Sequence, residues 1–318
     1  MLEFPFETPD VGDAPVAVAE GVFWLRLPLP FVLDHVNLWL IDDGDGWTII
    51  DSGLDFPPIR AAWRRIFAFI GGGHRLKRLI VTHHHMDHVG MAAAVQRETG
   101  CAVLMTAPEV EALGKSLIPD AADREQRLTA HYMRLGAAEA EAMTAAKGRS
   151  RIEAFVSGIP EGIAIAAPGA TVTIGGQPWR ASTGDGHTDA SLIMTRGDGA
   201  LMIAGDQILS HISPFIGAMM NNRDDDPLAD YLAFLGDIGP RIAAGTLVLP
   251  GHRPPFRGGR ERCAELAAHH HERCEAVLAG CAAGPVRIRA LLPLLFRRSL
   301  EGVLGLALAE TLAHVNYL

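Results

Sequence analysis

The chain has 318 residues, of which 48% are hydrophobic, and its formal net charge at pH 7 is −9. This length suits one large domain with a smaller one attached, and the hydrophobic content is ample for a buried core, which excludes a disordered chain. The acidic balance argues against nucleic acid as a partner of the whole chain. No apolar run has membrane-spanning length and no secretory signal pattern follows Met1, so we expect a cytoplasmic protein with no membrane partner.

The first third of the chain predicts strands followed by a helix. After a Pro-rich arm over residues 1–15, apolar runs at 16–29, 36–41 and 47–50 have the length and turn-bounded composition of strands. Residues 59–70 carry apolar side chains at helical spacing and stop at three consecutive glycines. Another apolar run begins soon after, at residue 79. The order predicts a β-α-β unit.

A group of histidines and an aspartate follows that last apolar run directly, at residues 83–88. A strand directs alternate side chains to one side, so His83 and His85 can converge on one metal ion. The turn that follows lets Asp87 and His88 reach a second ion, whereas His84 points away. Imidazole and carboxylate ligands without a thiolate suit zinc, manganese or iron.

This H-x-H-x-D-H pattern resembles the signature of the metallo-β-lactamase superfamily. Members complete the site with a later His, an Asp and a last His, each at a strand end, and this chain has matching segments at 183–188, 203–206 and 248–252. The resemblance implies an α/β fold, a four-layer αβ/βα metallo-β-lactamase sandwich. It also implies a first ion on His83, His85 and His187, a second on Asp87, His88 and His252, a bridge at Asp206, and an outer carboxylate at Asp51 that orients a metal-bound imidazole.

The resemblance implies a dinuclear metal-dependent hydrolase that uses a metal-bridging hydroxide, with Asp87 and Asp206 as its catalytic carboxylates. We expect two divalent ions, zinc first, with manganese or iron as alternatives, and a small acyl substrate: a thioester, an ester or a lactone. A phosphodiesterase or ribonuclease of the same superfamily and an iron-dependent oxygenase remain alternatives. Segment 186–191 lacks the second His that the family often has there, which argues against the glutathione-thioester subgroup.

Residues 115–155 depart from the alternation of strands and helices and are rich in Ala, Glu and Arg. They predict a helical insertion, which is either a lid over the site or a static helix pair on the outside. We expect Tyr132 to contact the substrate and His131 to lie at the surface. Further along the chain, the substrate contacts that we expect are His211, Phe215 and Arg253, and two more arginines, Arg223 and Arg257, are candidate anchors for a carboxylate or phosphate.

Residues 256–318 predict almost only helices, at 260–278, 286–295 and 300–313. They loosely resemble the small winged-helix-like C-terminal domain of the β-lactamase-like protein 2 subgroup, so we divide the chain into a catalytic domain at 1–255 and this C-terminal domain at 256–318. Eight Arg and six Glu leave it a net charge of +2, too little for a phosphate-binding surface. We expect it to serve packing or a homodimer contact. The four cysteines form no C-x-x-C pair, so we expect reduced thiols.

Overall fold

The computed structural model describes residues 1–117, 121–149, 152–220, 225–297 and 299–318, and this described part holds twelve strands and ten α-helices. The first half runs β1 (Val16–Ala19), β2 (Val22–Pro28), β3 (His35–Asp42), β4 (Trp47–Ile50), α1 (Pro57–Phe69), β5 (Leu76–Ile80), α2 (Met86–Val89), α3 (Ala92–Thr99), β6 (Ala102–Met105), α4 (Ala107–Ser116), α5 (Ala121–Arg134) and α6 (Glu139–Arg149). The second half runs β7 (Ala164–Ile165), β8 (Thr171–Ile174), β9 (Gln177–Gly184), β10 (Ser191–Arg196), β11 (Leu201–Gly205), α7 (Pro227–Arg241), β12 (Leu247–Pro250), α8 (Gly259–Cys281), α9 (Ile288–Leu295) and α10 (Leu304–Tyr317).

The strands form two mixed sheets. The first sheet has seven strands in the order β1-β2-β3-β4-β5-β6-β7, antiparallel up to β4 and parallel from β4 onward. The second has five strands in the order β12-β11-β10-β9-β8, of which only the β11 and β12 pair is parallel. Helices connect the parallel strands of each sheet, as parallel pairing requires.

Alternation along the strands divides the core into layers. Trp24 and Trp39 are paired across β2 and β3 and face the second sheet, whereas their neighbours Leu25 and Leu38 face α1. This is the period of two that a strand imposes. The outer face of the second sheet is covered by α7 and α8. The predicted four-layer αβ/βα sandwich is therefore confirmed.

The insertion packs against the C-terminal helices. Leu128 of α5, Ala142 of α6 and Leu308 of α10 belong to one buried apolar group, which we call the insertion cluster. Arg289 of α9 forms an ion pair of 2.9 Å with Glu141 of α6. The prediction that His131 lies at the surface is wrong: it is 3% exposed, because α5 is covered on that side.

The three predicted C-terminal helices are confirmed as α8, α9 and α10. No strand follows β12 in residues 251–297 or 299–318, so this described region shows the helices of the winged-helix likeness but no wing. Phe256, the first residue beyond the predicted domain boundary, pairs with Val248 of β12 and is fully buried. Within the described ranges, no helix combines the length and apolar character that crossing a membrane requires.

Candidate metal centre

The loops that follow the carboxyl ends of several strands meet at one edge of the two sheets. The backbone N–H of Leu192 at β10 donates to the carbonyl of Thr82 after β5, at 2.7 Å. The N–H of Gly251 after β12 donates to the carbonyl of Gly205 at the end of β11, also at 2.7 Å. Ligand sites in α/β folds lie beyond the carboxyl ends of strands, and the predicted ligands converge here.

His83, His85 and His187 form the first group of side chains. The Nε2 atom of His83 lies 3.1 Å from Nδ1 of His85 and 3.3 Å from Nε2 of His187. Burial, and after it the neighbouring imidazoles, hold the pKa of His83 and of His85 well below the ordinary value. These imidazoles are therefore neutral, with lone pairs for a divalent cation.

Asp87, His88 and His252 form the second group, and Asp206 lies between the two groups. Nε2 of His252 is 3.3 Å from Oδ2 of Asp87 and 3.2 Å from Oδ2 of Asp206, which is also 3.7 Å from Nε2 of His187. Burial lowers the pKa of His252, but the carboxylates of Asp206 and Asp87 outweigh it and raise the pKa to about 10. This group therefore attracts positive charge.

The residues of both groups fit divalent cations. Among the described residues, Nε2 of His88 and Oδ1 of Asp206 are buried without a hydrogen-bond partner, which is costly unless a ligand completes them. Gly251 leaves them room, because a Cβ there would lie 2.2 Å from Oδ1 of Asp206. In each group the candidate ligand atoms lie within 4.8 Å of one another. The donor set suits zinc, manganese and iron alike.

Four imidazoles are oriented through their second nitrogen, as metal-binding histidines require. The contacts are His83 Nδ1 to Thr82 Oγ1 at 3.0 Å, His88 Nδ1 to Asp51 Oδ2 at 2.8 Å, His187 Nδ1 to the Phe215 carbonyl at 2.8 Å and His252 Nδ1 to the His35 carbonyl at 2.7 Å. Asp51 thus stands beside the second group, in the place that the resemblance implied.

A cavity of about 540 Å³ opens beside the first group, and His85, His187 and Phe215 line it. Tyr132 does not line it: this side chain is 4% exposed and packs in the insertion cluster. The prediction that Tyr132 contacts the substrate is therefore corrected. Its ring belongs to the apolar side of α5, and that side packs against the C-terminal helices.

His211 and Arg253 also lie away from this cavity. His211 stacks on Phe4 of the N-terminal arm, with ring centroids 4.6 Å apart, so its predicted substrate contact is corrected too. The backbone N–H of Arg253 donates to Nε2 of His35 at 2.9 Å, and the residue is not part of the cavity lining. The Arg257 guanidinium donates to the carbonyl of Gly245. Arg223 lies outside the described residues.

Two residues of the site were missed by sequence reasoning. Glu109, in the first turn of α4, is fully buried and accepts hydrogen bonds from the backbone N–H of His84 at 2.8 Å and from the Thr188 hydroxyl. An acid at the start of a helix that follows a central strand was the available signal. Arg149, the last residue of α6, lines the cavity, and no local pattern distinguishes it from the other arginines of the insertion.

The sequence profile of the Metallo-beta-lactamase superfamily matches residues 32–265. The chain belongs to the metallo-beta-lactamase superfamily. A solved member of similar fold, a beta-lactamase domain protein from Burkholderia ambifaria, is 35% identical, with 99% of this chain and 91% of that chain covered and a TM-score of 0.86. A metallo-beta-lactamase family protein from Thermus thermophilus is 27% identical, with 95% and 94% covered and a TM-score of 0.79.

Curated relatives of this superfamily member include the Probable metallo-hydrolase YqjP of Bacillus subtilis (strain 168), which is 23% identical over 320 residues. That similarity covers 94% of this chain and 92% of the relative. The Hydroxyacylglutathione hydrolase of Albidiferax ferrireducens is 34% identical over 83 residues, which are 26% of this chain and 29% of that protein. Superfamily membership and the two His and Asp groups make the protein a metal-dependent hydrolytic enzyme.

Proposed function

We propose that this metallo-beta-lactamase superfamily member is a dinuclear hydrolase of small acyl substrates: a thioester, an ester or a lactone. The position of Asp206 supports the proposal most directly. Its Oδ2 atom is 3.7 Å from Nε2 of His187 in the first group and 3.2 Å from Nε2 of His252 in the second. One carboxylate between two ligand groups is the arrangement that holds two ions close together.

When bound, two divalent ions, zinc in our proposal, supply Lewis acidity and a water of lowered pKa. His83, His85 and His187 would hold one ion, and Asp87, His88 and His252 the other, with Asp206 shared. The chain supplies only two carboxylates against two dications, so the loaded site keeps a net positive charge. That charge favours the anion that develops when an acyl carbon is attacked.

The walls of the cavity favour an acyl group. Its lining includes the apolar side chains of Leu128, Phe215, Met219 and Met220, and its volume of about 540 Å³ lies in the range of small-molecule sites. Phe215 also fixes His187 through its carbonyl, so the apolar wall is continuous with the first ligand group. The partial relative named for hydrolysis of hydroxyacylglutathione supports the same substrate class.

The test is elemental analysis of protein purified without added metal, together with a substrate panel. The panel holds p-nitrophenyl esters, a lactone, a thioester and bis-p-nitrophenyl phosphate. We expect two zinc ions per chain and turnover of the acyl substrates. One iron per chain without hydrolysis would overturn the proposal in favour of oxygen chemistry.

Substitutions connect the metal to the turnover. His83→Ala and Asp206→Asn should each lose bound metal and activity together, because each removes a ligand atom that buried neighbours cannot replace. His271→Ala is the matched control, since His271 is exposed on α8 and belongs to neither group. Full turnover by purified His83→Ala protein would contradict the assignment.

A further inference from the structure

Among the described Lys and Arg residues that line the cavity, Arg149 is the one whose charged group has no hydrogen bond or ion pair. Lys115 and Arg127 also line the cavity, but Lys115 forms an ion pair with Glu111 at 2.7 Å and Arg127 pairs with Asp123 at 2.8 Å. Arg124 donates to the carbonyl of Ser116 at 2.9 Å. Across the part of the chain that the structure describes, the Arg149 guanidinium has neither a hydrogen bond nor an ion pair.

The surroundings of Arg149 place its charge beside the first ligand group. Burial, and after it the charge of Arg124, lower the pKa of the Arg149 guanidinium. The positive charge of Arg149 in turn helps to lower the pKa of the His85 imidazole. Arg149 is half-buried and has no fully buried unpaired nitrogen, so its guanidinium is open to the cavity and available to an opposite charge there. An anionic group in the cavity would supply that charge next to the first ligand group.

The helix that ends in Arg149 is packed along its apolar side. Ala142 and Ala146 of α6 are fully buried in the insertion cluster, and Leu308 of α10 packs there with them. The ion pair between Glu141 and Arg289 joins the same helix to α9. The packing of α6 therefore places the Arg149 side chain at the cavity wall.

We propose that Arg149 binds a carboxylate at the far end of the acyl group, so that the substrates are esters or thioesters of dicarboxylic acids with one free carboxylate. The inference rests on the proposed function. The planar fork of the guanidinium fits a carboxylate with two parallel hydrogen bonds. Leu128, Phe215 and Met220 line the same cavity and would contact the methylene chain in between.

The reaction adds water across the acyl bond. The water oxygen bonds to the acyl carbon, the bond from that carbon to the ester oxygen or thioester sulfur breaks, and the leaving group takes the bonding electrons and a proton. The remote carboxylate is unchanged. Arg149 therefore contributes by positioning the acyl chain, and its effect should appear as a preference between substrates.

The experiment compares two esters that differ at one end only: mono-p-nitrophenyl adipate, with a free carboxylate, and p-nitrophenyl hexanoate, with a methyl group. We expect the metal-loaded protein to have a higher kcat/KM for the adipate ester. Arg149→Met should lower the ratio of the two kcat/KM values about 10- to 100-fold, the range for a hydrogen bond between charged groups. Arg127→Met, which removes a paired cation from the same cavity, should leave the ratio as it is.

Binding supplies a second measurement that needs no turnover. Calorimetric titration of the metal-loaded protein with adipate and with hexanoate should show tighter binding of adipate, and Arg149→Met should remove that difference. Metal content and Tm establish that the variant is folded, and Arg149→Gln replaces it if the Met variant is not.

Failure of the proposed role of Arg149 can be distinguished from failure of the hydrolase proposal. Equal kcat/KM for the two esters in the unsubstituted protein, or an unchanged ratio in folded Arg149→Met protein, overturns the role of Arg149 and leaves the hydrolase proposal standing. Hydrolysis of neither ester counts against the proposed function, and the calorimetric difference between adipate and hexanoate then decides whether Arg149 binds a carboxylate.

Discussion

The carboxylate of Asp51 lies 2.8 Å from Nδ1 of His88 and accepts the backbone N–H of Thr82 at the same distance. It therefore joins the end of β4 to the loop that carries the first ligands. A carboxylate accepts only from a protonated nitrogen, so the His88 proton resides on Nδ1 and Nε2 is left for a metal ion. Asp51 adopts this position with a φ of 63°, in the left-handed region that Asp and Asn tolerate better than most residues.

Asp51→Asn should weaken the second metal site. Asn keeps the shape and the backbone conformation, but its NH₂ group cannot accept the proton of His88 Nδ1. We expect the affinity for the second ion to fall about 10- to 100-fold while the first ion is retained. Metal stoichiometry measured against a series of chelator concentrations checks this. Asp45→Asn, at an exposed carboxylate paired with Lys77, is the control; equal loss of both ions would show that Asp51 acts on the fold and not on His88.

Gly251→Ala should abolish metal binding without removing a ligand. The added Cβ would lie 2.2 Å from Oδ1 of Asp206 and 2.7 Å from Cε1 of His88, so both side chains must move. The matched control is Gly236→Ala in α7, where a Cβ meets nothing within 4 Å. The control should gain stability, up to about 1 kcal/mol, because alanine favours a helix over glycine. Elemental analysis of both variants checks the prediction, which two bound ions in Gly251→Ala would contradict.

Glu109→Ala should loosen the first ligand group. The fully buried carboxylate accepts from the N–H of His84 and from the Thr188 hydroxyl, next to His85 and His187. Its removal leaves the N–H of His84 without this acceptor, at a cost of about 1–3 kcal/mol, while the Thr188 hydroxyl keeps Ser191 Oγ at 2.6 Å. Denaturant unfolding with and without chelator measures both the loss of stability and the weaker metal binding. Glu111→Ala, at an exposed side chain two residues along the same helix, should change neither.

The C-terminal helices should make the protein sensitive to acid. The imidazoles of His270 on α8 and His314 on α10 are fully buried, with Nδ1 and Nε2 3.1 Å apart. Burial lowers their pKa values to about 3 and about 4, and for His270 the neighbouring His314 adds to the effect. The unfolded chain binds these protons first as the pH falls below 6.5. The stability contributed by the neutral pair is therefore complete above pH 6.5 and is lost as the pH falls towards 4.

Between pH 7.5 and pH 5.0 we expect each of these imidazoles to reduce the free energy of unfolding by about 2 kcal/mol. His270→Gln should remove about half of the loss attributed to the pair. His271→Gln, at an exposed position on the same helix, is the control. Urea unfolding of chelator-treated protein at both pH values measures the loss, and the freed metal ligands titrate alike in the two variants, so the difference between the variants reports His270. A pH dependence that is the same in both variants would show that the buried pair is not the cause.

The ligand loops were predictable because the information is local. An apolar strand closely precedes His83, Asp206 and His252, and a strand that ends in glycine precedes His187, so the sequence indicates which sheet edge each side chain reaches. Asn37 was not predictable: inside the apolar strand β3, its amide accepts from Nε1 of Trp24 and donates to the carbonyl of Pro250. That partner is 213 residues away, and only the packed sheets bring the two together.

The packing of the insertion could not be predicted from local sequence. Its helices were predictable from composition, but the surface against which they pack was not. Tyr132 lies in the apolar stripe of α5. That pattern predicts that the ring is buried but does not indicate which part of the protein it packs against. The covering surface is α10, where a Cβ on Gly305 would lie 2.5 Å from the Tyr132 hydroxyl. For residues 115–155 we considered a lid over the site and a static helix pair on the outside. The same helices both pack on the C-terminal region and line the cavity.

The insertion cluster joins one wall of the cavity to the end of the chain. Residues of α5 and α6 share it with α9 and α10, although more than a hundred positions of sequence separate them. Under the proposed role of the cavity, a change in either segment should therefore alter substrate preference. A chimera that takes residues 115–155 from a relative should show the relative's substrate preference only when the relative's C-terminal helices are transferred with them. A substitution in one of the two segments should require a matching substitution in the other.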